Sequence, residues 1–202
     1  MTIVETLDQP ADEEFHLDRD ELRAAIGSRA IVLVGMMGSG KSSVGKKLAT
    51  RLGLPFVDAD TEIETAAGMT IPEIFAQRGE TEFRNSERRV IGRILTTRAP
   101  LVLATGGGAF MNAETRARIA DLGISIWLKA DLELLARRIG RKDTRPLVRG
   151  KDPLEVLITL AAERDPLYAQ ADIVVETGDT PHNEAVEAVV RALTAHLAGA
   201  ET

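Results

Sequence analysis

Gly35-Met36-Met37-Gly38-Ser39-Gly40-Lys41-Ser42 satisfies the pattern G-x-x-x-x-G-K-[ST], with an apolar run before it and an amphipathic segment after it. Glycines at these intervals let the backbone wind tightly, so that successive N–H groups and the start of the following helix face phosphate oxygens. A lysine at position 41 reaches the β- and γ-phosphates, and the Ser42 hydroxyl supplies one ligand to a Mg²⁺ ion that keeps most of its waters. The chemistry indicated is phosphoryl transfer or nucleotide hydrolysis. The cradle alone does not choose between a kinase, a GTPase switch and a motor ATPase. No N-K-x-D guanine signature is present, and 202 residues are few for a motor with coupling domains.

Other charged residues supply what a small anionic acceptor needs. Asp58-Ala59-Asp60 follows a short apolar run, and strand periodicity places the two carboxylates on one side, about 6 to 7 Å apart. One acid suits a hydrated cation and the other an acceptor hydroxyl. The same segment also reads as a helix N-cap at Asp60 with Asp58 in a solvated turn. Arg84 in Thr81-Glu82-Phe83-Arg84 opens a long polar helix that also holds Glu87, Arg88 and Arg89, and taken alone it is one more surface charge. Gly106-Gly107-Gly108 gives up backbone entropy that is worth giving up where a ligand approaches the main chain. Thr105, just before it, is a further candidate for the surroundings of the cation. The segment 140–152, GRKDTRPLVRGKD, reads as an exposed basic loop, and Arg145 beside Pro146 is placed to close on the moving phosphoryl group. Arg138, Arg141, Lys142 and Arg149 read equally as solvated charges, and Arg164, before Asp165-Pro166, as a helix-end cation. Trp127 and Phe110 read as core or pocket wall, and His16, His182 and His196 form no ligand set.

These residues must be held by alternating short apolar runs and longer amphipathic segments, the pattern of βα units around a mostly parallel sheet. Strands are expected at 30–34, 55–58, 101–104, 124–128 and 173–176. Helices are expected at 41–52, 61–67, 71–98 with a break at Gly79, 113–122, 132–139, 153–169 and 183–197, with a short one within 17–26. Pro72 and Pro153 stand where a first helical turn tolerates proline. Residues 1–28 read as an acidic flexible leader with a short helix, and 29–202 as a single domain.

Composition narrows the setting. Cysteine is absent, which excludes disulfides and thiolate metal sites and points to a reducing cytoplasm. The first residues lack the basic start and apolar run of a signal peptide, and no stretch approaches the roughly 20 apolar residues of a membrane span. A net charge of −6 argues against non-specific nucleic-acid binding.

Taken together, GMMGSGKSSVGKKLA, FVDAD, IFAQRGETEFRNSE, LATGGGA, TRPLV and ERDPLY, in this order, resemble the shikimate kinase family over residues 30–197. The resemblance implies an α/β three-layer P-loop kinase fold, with a five-stranded parallel sheet in the order 2-3-1-4-5, helices on both faces and a mobile lid over about 140–152. It implies transfer of the γ-phosphoryl group of ATP to the 3-hydroxyl of shikimate with Mg²⁺, within aromatic amino acid biosynthesis; a cytoplasmic monomer without nucleic-acid or membrane partners is expected. Gly38, Ser39, Gly40, Lys41, Ser42 and Ser43 then bind ATP with Arg138 and the lid's Arg145, while Ser42 and Asp58 attend the metal. Asp60 binds the shikimate hydroxyls and helps deprotonate the attacking one. Arg84 and Arg164 clamp the carboxylate, and Gly106, Gly107 and Gly108 supply backbone contacts. Lys41, Asp60 and Arg145 form the catalytic set. Family members often carry an arginine in the loop before the last helix, where this chain has Gly178-Asp179-Thr180-Pro181. Two other readings remain: a kinase for another small metabolite such as gluconate, and a nucleotide-dependent binding module without an acceptor.

Overall fold

The computed structural model describes residues 18–140, 152–179 and 181–199. Five parallel strands, β1 (Ala30–Val34), β2 (Phe56–Asp58), β3 (Val102–Ala104), β4 (Gly123–Ala130) and β5 (Ile173–Thr177), form one sheet in the order β2-β3-β1-β4-β5. Eight helices accompany them among the described residues: α1 (Arg19–Ile26), α2 (Lys41–Leu52), α3 (Ala59–Ala67), α4 (Ile71–Arg98), α5 (Ala113–Leu122), α6 (Leu132–Ile139), α7 (Pro153–Tyr168) and α8 (His182–Gly199).

Strand β1 shows why the sheet is covered on both faces. Ala30, Val32 and Val34 point into one apolar cluster, and Ile31 and Leu33 into another, with all five fully buried. An alternating backbone carrying only apolar side chains must find cover on both sides. The first cluster takes Ile63 of α3, Ile91 and Ile94 of α4, Ile119 of α5, Leu135 of α6 and Leu157 of α7. The second takes Leu22 of α1, Leu48 and Leu52 of α2, and Val189 and Leu193 of α8. The result is three layers, and each buried leucine or isoleucine contributes about 1.5–3 kcal/mol of transfer free energy.

The helices that follow β2, β3 and β4 lie on one face, whereas α2, which follows β1, lies on the other. The P-loop therefore leaves the sheet at a topological switch point, where the carboxyl ends of neighbouring strands open a crevice. Helix α4 is bent at Gly79, whose φ of 80° and ψ of 169° break the helical path as its sequence predicts. Its start is fixed by Thr70 and Glu73, which bond reciprocally to each other's backbone N–H.

Several boundaries shift by one or two residues from the reading from sequence, and two of them have a clear cause. Helix α3 begins at Ala59 rather than Thr61, because Asp58, not Asp60, is its N-cap and accepts from the Asp60 N–H at 3.0 Å. Asp60 is thus in the first helical turn, and strand periodicity does not relate the two carboxylates. Strand β4 runs to Ala130 rather than Leu128, since Lys129 and Ala130 still pair with Glu176 and Thr177. The leader's first 17 residues and the lid segment 141–151, with Arg141, Lys142, Arg145 and Arg149, lie outside the described residues.

Candidate active site

Helix α2 starts with Gly40 as N-cap in the left-handed region (φ 92°, ψ 11°), and no side chain caps the helix. Its first N–H groups are therefore offered to a ligand rather than to a neighbouring side chain. Lys41 is buried to 8% exposure and folds back along the loop, donating to the Gly35 and Met36 carbonyls at 2.8 Å each. Ser39 is buried as well; its N–H donates to the Met36 carbonyl at 3.3 Å and its Oγ has no hydrogen-bond partner among the described residues. Ser42 and Ser43 are exposed in the first turn of α2.

The Ser42 hydroxyl donates to Asp58 Oδ2 at 2.6 Å, which brings together the two residues expected at the metal. Thr105, just after β3, is buried, and its hydroxyl donates to the Leu33 carbonyl at 3.0 Å, tying the end of β3 to β1.

A second group of side chains surrounds the triglycine loop between β3 and the short 3₁₀ turn Ala109–Met111. A Cβ on Gly106 would lie 2.6 Å from Glu87 Oε1 and 2.9 Å from Asp60 Oδ1. A Cβ on Gly108 would fall on the Arg84 guanidinium, and Arg164 donates through Nη1 to the Gly107 carbonyl at 3.1 Å. Three charged side chains, Asp60 and Glu87 at Gly106 and Arg84 at Gly108, therefore crowd the main chain and would have to shift for any larger residue, whereas a Cβ on Gly107 would meet the Met37 N at 3.3 Å. Asp60, Arg84 and Arg164 come from α3, α4 and α7, so residues far apart in sequence converge on one loop.

The electrostatics of this cluster are polarised. Burial, and after it the Asp58 charge, raise the Asp60 carboxyl above its ordinary value, with Lys41 pulling the other way. Glu87 is also raised by burial, against the opposing pull of Arg84. One oxygen each of Asp60 and Glu87 is buried with no hydrogen-bond partner among the described residues, and both face Gly106. Arg84 is held by Glu87 Oε2 at 2.8 Å and Glu80 Oε1 at 3.1 Å.

Residues 37–194 match the profile of the family described as Shikimate kinase. The chain belongs to the shikimate kinase family. A shikimate kinase of Caulobacter vibrioides is 64% identical over 170 residues, covering 84% of each chain. One from Bradyrhizobium diazoefficiens is 55% identical over 179 residues, covering 89% of this chain and 86% of the relative. Among solved structures, shikimate kinase from Acinetobacter baumannii in complex with shikimate superposes with a TM-score of 0.82 at 38% identity, over 86% of this chain and 97% of that one. The sheet order β2-β3-β1-β4-β5 implied by the family resemblance is the order found.

Against that family background, the loop before α8 has its own arrangement. It lacks an arginine, but Arg138 of α6 donates to the Gly178 carbonyl at 2.9 Å and to the P-loop Gly38 carbonyl at 3.4 Å. Its guanidinium also lies 3.8 Å from Asp179. Arg138 thus links the P-loop to the loop at 178–179. Trp127 and Phe110 are core residues, as expected.

Sequence reasoning passed over Glu87. It was one acid in a polar helix, yet it lies four residues after buried Phe83 and four before buried Ile91, on the stripe that α4 turns inward. A carboxylate on the apolar stripe of a helix, three residues from an arginine, was the available signal.

Proposed function

We propose that the chain is an ATP:shikimate 3-phosphotransferase whose acceptor pocket is the polarised cluster around Gly106–Gly108. The observation that carries this reading is the convergence of two guanidiniums, Arg84 and Arg164, and one carboxyl, Asp60, on a triglycine beside a P-loop. Shikimate carries a carboxylate at one end of its ring and hydroxyls at the other, which matches a pocket with cations and an acid. An acceptor-free nucleotide switch leaves the arginine pair without a purpose, and against a gluconate-type kinase, whose acceptor also carries a carboxylate, stand the 55–64% identical relatives named Shikimate kinase.

In this reading Arg84 and Arg164 hold the carboxylate by charge-assisted hydrogen bonds, and Asp60 receives the proton of the attacking hydroxyl. A carboxyl raised by burial and by Asp58 is a better proton acceptor than a free one. Lys41 leaves the loop carbonyls to meet the β- and γ-phosphates, and Gly38, Ser39, Gly40, Ser42 and Ser43 frame the polyphosphate. Arg138 borders the adenine side, and Arg145 closes from the segment 141–151.

Ser42 and Asp58 would hold Mg²⁺. Their joined oxygens suit a hard cation that takes few protein ligands and keeps its waters. When bound, that ion would neutralise negative charge on the polyphosphate. No helix among the described residues is long and apolar enough to cross a membrane, and the absence of cysteine suits a reducing, cytoplasmic setting.

The test is an ADP-release assay with saturating MgATP, run with shikimate, with gluconate and without acceptor. Shikimate alone should drive ADP release, and Lys41→Ala should abolish it while leaving the circular dichroism spectrum unchanged. ADP release that ignores shikimate would end this assignment.

A further inference from the structure

The motif Arg164-Asp165-Pro166-Leu167-Tyr168 was valued for its arginine, but its last residue reaches the same atom. The Tyr168 hydroxyl donates to the Gly107 carbonyl, the acceptor that Arg164 Nη1 uses at 3.1 Å. The two donors stand one helical turn apart on α7. Tyr168 is fully buried, and its ring is stacked with Trp127 at 5.6 Å and Phe110 at 6.4 Å between centroids. The hydroxyl therefore sits at the end of an immobilised ring, while Arg164 ends in a longer, adjustable chain. Burial pushes the phenol up to about 12, so it stays a proton donor across the working range.

We propose that Tyr168 is a positioning residue for the acceptor: its hydroxyl holds the Gly107 carbonyl in place when Arg164 turns to the acceptor carboxylate. This rests on the reading of Arg164 given above. A carboxylate is a stronger partner for a guanidinium than a neutral carbonyl is, so an arriving acceptor draws Arg164 away. A peptide flanked by glycines offers little steric resistance to turning, and a half-buried carbonyl stripped of its donor would seek another. Tyr168 cannot follow the anion, because its ring is packed. It keeps the Gly107 carbonyl directed at α7, and peptide planarity then keeps the Gly108 N–H directed away from α7.

Tyr168→Phe removes one oxygen and keeps the ring. In the full chain with saturating MgATP, the shikimate KM should rise about threefold to tenfold, the loss of one ordinary hydrogen bond. Neither kcat nor the ATP KM should change, and shikimate affinity by calorimetry should weaken by the same factor as KM. A purely structural role would lower the melting temperature and leave this split unmoved. A variant with the wild-type shikimate KM, or one in which kcat and both KM values deteriorate together, overturns the role of Tyr168 alone. A wild-type chain that neither binds nor phosphorylates shikimate defeats the acceptor assignment, and the tyrosine's role falls with it.

Discussion

Glu87 accepts a hydrogen bond from Arg84 Nη1 at 2.8 Å through one oxygen and buries the other, without a partner among the described residues, against Gly106. With 3% exposure, Glu87 is a charge that would not be there without the arginine beside it. The pair fixes the guanidinium next to Gly108 before any anion arrives, so little ordering remains to be done on binding.

Arg84→Ala and Arg164→Ala should each weaken shikimate binding by roughly 1.5–3 kcal/mol, the value of a hydrogen bond to a charged group. ATP affinity should hold. Calorimetry with each ligand separately checks this, and normal shikimate binding in either variant would remove that arginine from the carboxylate clamp.

Asp60→Asn keeps the shape of the side chain and loses the proton acceptor. Turnover at saturating shikimate should fall about 10²- to 10⁴-fold, the usual worth of general-base assistance. Full turnover in this variant would leave the hydroxyl without its base and require another.

Gly106→Ala should cost acceptor binding and turnover together, while the melting temperature changes little. The new methyl would stand 2.6 Å from Glu87 Oε1 and 2.9 Å from Asp60 Oδ1, so both carboxyls must move. ATP affinity is the internal control. Wild-type kinetics in this variant would show that these contacts do not set the site.

Glu87 also predicts a pH signature. Its carboxyl is raised by burial, so the folded chain holds this proton more tightly than the unfolded chain does. Its contribution to stability is complete below the ordinary glutamate value and is lost as pH rises through the raised one. Glu87→Gln removes that slope. Urea midpoints measured from acid to neutral pH should show the Gln variant gaining on the wild type across this window and then running parallel. A difference that stays flat with pH would contradict the raised carboxyl.

Much of this was legible because the local signals were strong. The apolar run Ala30–Val34 and the Gly40-Lys41 junction mark β1 and α2 at the bounds the structure shows. Gly79 announced the bend in α4. Asp58-Ala59-Asp60 was harder, because both aspartates are able N-caps. The choice is made by strand pairing: Asp58 is opposite Ala104 at the end of the β2–β3 ladder, which leaves Ala59 free to turn into the helix. The pairing of Arg84 with Arg164 could be named from the motifs of the family. Their convergence on Gly106–Gly108 depends on α4 and α7 meeting at one loop, which no local spacing encodes. Glu87 was hidden by its helix, where many exposed charges mask the one that is turned inward.

Trp127 and Tyr168 are the chain's single tryptophan and single tyrosine, and they are stacked on each other beneath the triglycine. Excitation absorbed by the phenol is within transfer distance of the indole, so the protein's native ultraviolet emission comes from one point. That point touches the loop through the Tyr168 hydroxyl. The enzyme thus carries its own optical probe, with no background from any other tryptophan or tyrosine, beneath the loop proposed to receive the acceptor.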